Sequence, residues 1–168
     1  MKFGSGREGW SDLCLWYNYK INSLLKKEEF KEAKKIAAIA DEKCPKQHMF
    51  YLRLKARAMI GLGDAEGAKN IYEELCKKRR PDWWLLHEYG NLLKKEGEIE
   101  EALPVLCKAA LSNIKLEMMV KLFSDLAEIF MEMGNYEKAL AHCYLEKFVR
   151  DDNDWPISSD LTALKKRL

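Results

Sequence analysis

The sequence predicts an all-α fold, a solenoid of four helix–turn–helix repeats closed by a short C-terminal helix. Three observations carry this. A six-residue pattern recurs four times at intervals of 34–37 residues. Around each copy, apolar side chains fall at helical spacing. Glycine and proline are few, nine and four in 168 residues, whereas a sandwich or barrel of many short strands uses more of both at its turns.

The pattern is a short polar turn, an apolar residue, two mostly polar residues and an alanine. Its four copies end at Ala33, Ala68, Ala102 and Ala139. Ahead of each turn stand Tyr17/Ile21/Leu24, Leu52/Ala56/Met59, Leu86/Gly90/Leu93 and Phe123/Ala127/Phe130. Steps of four and three residues put each trio on one face of a helix. Behind the turns run Ala33/Ala37/Ala40, Ala68/Tyr72/Leu75, Ala102/Leu106/Ala109 and Ala139/Cys143, the facing stripe of a second, antiparallel helix. Gly63, Gly97 and Gly134 stand where the first helix must end, a place that favours positive φ. Asp64 and Asn135 are placed to cap the next helix. Pro104 is expected in the first turn of its helix, where a missing N–H costs nothing.

These residues resemble the tetratricopeptide repeat (TPR) family over residues 13–150. The resemblance implies a right-handed superhelical solenoid with repeats at about 14–47, 49–82, 83–116 and 120–153. It also explains the small residues, because the two backbones of a repeat approach closely: Ala56 faces Ala68, Gly90 faces Ala102 and Ala127 faces Ala139. Pro45 and Pro81 stand at or beside the proline that often closes the family's repeat. The first repeat departs from the pattern, with Ile21 at the small position and Glu28 at the glycine position. The fourth ends in Glu146 where an apolar or small residue is usual. Three extra residues near 112–116 should lengthen a helix or a turn.

Outside the array (11–150), residues 1–10 read as a flexible lead-in, polar and glycine-rich, without the apolar segment of a signal peptide. Residues 151–156 read as a turn. A helix over 157–168, capped by Ser158, Ser159 or Asp160 and carrying Leu161, Leu164 and Leu168, is expected to cover the last exposed face, as solenoids require.

Hydrophobic residues make 48% of the chain and charged residues 33%, which excludes disorder. No apolar run is long enough to cross a bilayer, so no membrane partner is expected. Cys14, Cys44, Cys76, Cys107 and Cys143 lie about 30 residues apart with no CxxC pair. That spacing is no zinc or redox motif, and an odd count suggests reduced thiols in a cytoplasmic protein. Charge is uneven: residues 1–82 carry a net +6 and residues 83–168 a net −4. Such a split favours an acidic partner or self-association end to end.

No catalytic constellation is legible. His48, His87 and His142 fall in no metal-binding spacing. His142 and Cys143, adjacent on a helix, point about 100° apart. Asp151, Asp152 and Asp154 lack the glycine and distal glutamate of a calcium loop. The glycines at 61, 63 and 67 have the wrong spacing for a phosphate loop. Neither enzyme activity nor a metal or cofactor is expected.

The resemblance implies that the first helices of the repeats line a concave groove. Carried over by position, groove-facing residues are Asn18 and Asn22, Arg53 and Arg57, His87 and Asn91, and Ser124 and Glu128, with Phe50 and Trp84 at second positions. Amides there suit an extended backbone, and paired arginines suit a carboxylate or phosphate. The carboxylate clamp of the family's chaperone-binding members is matched in type only by Asn22, which argues against a chaperone adaptor. The expected function is a protein–protein interaction scaffold that holds a peptide or partner segment, possessing acidic groups, in this groove. The alternative is a nucleic-acid-associated subunit of a ribonucleoprotein or regulatory complex. It would use the basic N-terminal half and the candidate patch Lys77, Lys78, Arg79 and Arg80. That run also suits a helix C-terminus without any partner.

Overall fold

A computed structural model describes residues 9–77 and 80–167 of the chain. The described residues form two units of stacked helices, divided between Lys78 and Arg79. The first holds α1 (Asp12–Lys26), α2 (Phe30–Lys43), α3 (His48–Gly61) and α4 (Ala65–Cys76). The second holds α5 (Trp83–Lys95), α6 (Ile99–Ala110), α7 (Val120–Glu132), α8 (Tyr136–Asp152) and α9 (Ser159–Arg167). No strand occurs among the described residues.

In the first unit α1 packs on α2, α2 on α3, and α3 on α4. The stripes expected to meet do so: Ala33, Ala37 and Ala40 of α2 and Ala68, Tyr72 and Leu75 of α4 are buried. Asp64 caps α4, its side chain accepting from the Gly67 N–H at 3.0 Å. Gly63 ends α3 with a φ of +79°. Glu28 stands in the turn of the first hairpin, between α1 and α2, with a φ of +60°. The departing residue thus adopts the backbone of its glycine counterparts, at the steric cost that a Cβ carries in the left-handed region.

Two expectations change here. Trp10, placed in the flexible lead-in, packs edge-on against Phe50 with ring centroids 5.0 Å apart, and against Tyr51 at 6.1 Å. Its indole buries apolar area that a free tail would leave in water. Residues 1–8 lie outside the described residues. The expectation of five reduced thiols is also corrected, because Cys14 and Cys44 form a disulfide. Both face inward, at the start of α1 and just past the end of α2. In an antiparallel hairpin those two ends meet, and the Cα atoms are 6.0 Å apart, within bonding range. Cys76, Cys107 and Cys143 are not disulfide-bonded.

In the second unit α5 packs on α6, α6 on α7, and α7 on α8. Gly97 and Gly134 take φ values of +83° and +73°, and Asn135 caps α8 by accepting from the Lys138 N–H at 3.2 Å. The small residue at position 90 is enforced by Leu106: a Cβ there would lie 2.5 Å from that side chain. Pro104 sits in the second turn of α6, not the first, because the helix begins at Ile99. The carbonyl it deprives belongs to Glu100, which is exposed and open to water. The extra residues before the fourth repeat form a turn and a short 3-10 segment, Leu116–Met119.

α8 runs on to Asp152, and α9 packs against α7 and α8 through buried Leu161 and Leu164. Leu168 lies outside the described residues. Glu146 explains its departure from the apolar pattern. It is 1% exposed, and its Oε1 accepts from Arg150 Nε and from Ser158 Oγ, both at 2.8 Å. Ser158 in turn caps α9, accepting from the Leu161 N–H at 3.1 Å. A buried acid therefore ties the loop that delivers α9.

Candidate functional site

The first helices of the repeats carry the residues expected to face a ligand, and each unit presents its own set. In the first unit α1 lies beside α3, so Asn18, Asn22, Arg53 and Arg57 stand on neighbouring helices. The two asparagines are ordered by their own helix. Asn22 donates from Nδ2 to the Asn18 carbonyl at 2.8 Å and to Asn18 Oδ1 at 3.1 Å. Arg57 is half-buried and makes no ion pair among the described residues.

The second unit differs. α5 presents His87, Asn91 and Lys94, and α7 presents Lys121, Asp125 and Glu128, each trio at positions i, i+4 and i+7. The facing stripes close on each other. His87 Nε2 lies 2.7 Å from Asp125 Oδ2, and Asn91 Nδ2 donates to the same oxygen at 3.0 Å. Lys94 Nζ donates to Asp125 Oδ1 at 3.3 Å, and also to Glu128. Lys121 completes the set, 3.6 Å from Asp125. His87 further stacks on Trp83, ring centroids 6.3 Å apart. The polar groups of His87 and Asn91 that were expected to meet a ligand are thus directed at a carboxylate of the same unit. Trp84 is half-buried.

Asp125 is 3% exposed. Burial by itself would raise its pKa, since it strips water from the charged form. The hydrogen bond from His87, the charges of Lys94 and Lys121, and the Asn91 amide outweigh it and lower the pKa to about 2. Asp125 is therefore ionised at neutral pH, and His87 donates to it. The repeat positions expected to face the groove on this helix are Ser124 and Glu128, and Asp125 is not among them. The available signal was a lone acid among Leu122, Phe123, Leu126, Ala127 and Ile129, four residues after a lysine. A buried acid on an apolar helix needs donors.

Of the basic run, Lys77 and Arg80 are exposed, while Lys78 and Arg79 lie outside the described residues. Among the described residues no group of His, Cys, Asp and Glu could hold a metal ion, and no helix is long and apolar enough to cross a membrane.

The fold is that of TPR proteins. A Podosopora anserina protein of nearly identical TPR-like repeats superposes with a TM-score of 0.72 at 14% identity, covering 95% of this chain and 86% of its own. PilF of Pseudomonas aeruginosa gives 0.74 at 18% identity, over 83% of this chain and 62% of its own. A tetratricopeptide repeat protein from Parabacteroides merdae gives 0.72 at 14%, over 94% and 59%. The chain thus spans less than two thirds of the latter two. No curated protein matches the sequence. The family model for a domain of unknown function, DUF7017, matches residues 50–167, which is most of the chain, and the protein belongs to that family.

Proposed function

We propose that this protein is a non-catalytic interaction scaffold that holds an extended, carboxylate-bearing segment of a partner protein on the α1/α3 side of its first unit. Asn18 and Asn22 hydrogen-bond the partner's backbone, and Arg53 and Arg57 take its acidic groups. The observation that carries the reading is Arg57, half-buried and without an ionic partner among the described residues. A guanidinium held partly out of water gains most from a carboxylate that completes its hydrogen bonds. The net +6 of residues 1–82 draws such a partner in. His87 and Asn91 act as structural donors to Asp125 in this reading and contribute nothing to capture.

The test is a pull-down from native lysate, with and without nuclease. It uses the parent chain, Arg53→Glu with Arg57→Glu, and His87→Ala with Asn91→Ala. Proteins retained by the parent and by the His87/Asn91 variant, indifferent to nuclease and lost in the arginine variant, support the proposal. The far-ultraviolet circular dichroism of the arginine variant should be unchanged. Capture that survives the arginine reversal overturns it. Capture that vanishes with nuclease replaces it with a nucleic-acid-associated role.

A further inference from the structure

The disulfide of the first hairpin is buried, with Cys14 6% and Cys44 3% exposed, but it lies beside a cleft open to solvent. Cys14 and Cys44 both line an open cleft of about 900 Å³ at the end of the hairpin. Trp10, Leu15 and Pro45 supply apolar wall, and Lys43 and Lys46 stand against a single acid, Asp12.

The two sulfurs are electrostatically unequal. Cys14 lies in the first turn of α1, its N–H held by the Ser11 cap at 3.3 Å. A thiolate there faces the positive end of the helix dipole and its free N–H groups. Ser11 Oγ also donates to Cys14 Sγ at 3.1 Å. Cys44 is the C-cap of α2, where free carbonyls disfavour an anion. In exchange chemistry the better-stabilised thiolate leaves faster.

We propose that Cys14–Cys44 is a thiol–disulfide exchange site whose cleft accepts an anionic low-molecular-weight peptide thiol. The incoming thiolate attacks Cys44 Sγ. A new S–S bond forms between them, the Cys14–Cys44 bond breaks, and its electron pair leaves on Cys14 as a thiolate held by Ser11 and the start of α1. A second thiol molecule, as thiolate, attacks its counterpart in the mixed disulfide and releases Cys44 as a thiolate. Two thiols are oxidised to one small disulfide, and the protein disulfide is reduced by two electrons. Lys43 and Lys46 favour an anionic thiol over a neutral one.

The experiment uses the full oxidised chain at neutral pH and low salt, with glutathione as the anionic probe and 2-mercaptoethanol as the neutral one. Samples are acid-quenched over time and read by intact mass and peptide mapping. A transient glutathione adduct on Cys44 is expected, forming faster than the chain unfolds globally. Lys43→Glu with Lys46→Glu should slow the glutathione reaction by about 3–10-fold through charge alone and leave the 2-mercaptoethanol rate unchanged. Ser11→Ala should slow both thiols, with the circular dichroism of each variant showing that it has folded. Reduction only at the rate of global unfolding overturns the proposal. So does a first adduct on Cys14, or a lysine reversal that slows both thiols alike.

Discussion

Replacing Asp125 by asparagine removes one charge from the α5/α7 seam with little change of shape. Asp125 has an ordinary value of 3.8 and a folded value of about 2. Ionised Asp125 therefore contributes roughly 2–3 kcal/mol to stability at neutral pH. The sign follows from the depressed pKa. The contribution is whole above about pH 4 and is lost as pH falls through about 2, where the folded protein takes up the proton too. Asp125→Asn should cost about 2–3 kcal/mol at neutral pH. Asp125→Ala should cost about 3–5 kcal/mol, because it leaves the half-buried donors of His87 and Asn91 without their acceptor and Lys94 with Glu128 alone. Urea unfolding followed by far-ultraviolet circular dichroism measures both, and the parent–asparagine difference should shrink between about pH 4 and pH 2. An asparagine variant within about 0.5 kcal/mol of the parent at neutral pH refutes the reasoning. A difference that stays constant through the acid range refutes the linkage.

Glu28→Gly should stabilise the first hairpin by up to about 1 kcal/mol, read as a higher urea midpoint, since glycine adopts a φ of +60° without the Cβ penalty. Gly90→Ala should destabilise by about 1–3 kcal/mol in the same assay, because the added methyl meets Leu106 at 2.5 Å inside the repeat. Glu146→Ala frees Arg150 and Ser158 and should loosen α9 first. Hydrogen exchange should therefore rise at the amides of residues 159–167 well before those of α7.

The repeats were legible in the sequence because packing two antiparallel helices leaves a periodic trace. Ala33, Ala68, Ala102 and Ala139 mark where backbones come close. The glycines at 63, 97 and 134 mark where the chain reverses. Asp64 and Asn135 cap as their positions require. Each of these depends on neighbours within one repeat, so a local pattern suffices. What repeat-position transfer missed depends on which side chains meet across helices.

Ownership of the donors on α5 is the clearest case. His87 and Asn91 look alike in sequence whether they face a ligand or an internal acid. Only the approach of α7 put Asp125 within 3.0 Å of both. Cys14 and Cys44 are two of five evenly spaced thiols, and only the meeting of hairpin ends paired them. Glu146 broke the apolar pattern for a reason held by Ser158, in the loop before α9. By itself the sequence determined the helices, their turns and the faces they bury, because those follow from spacing along one chain. The tertiary structure decided which polar groups satisfy one another, because a buried charge is settled by the partner that reaches it through space.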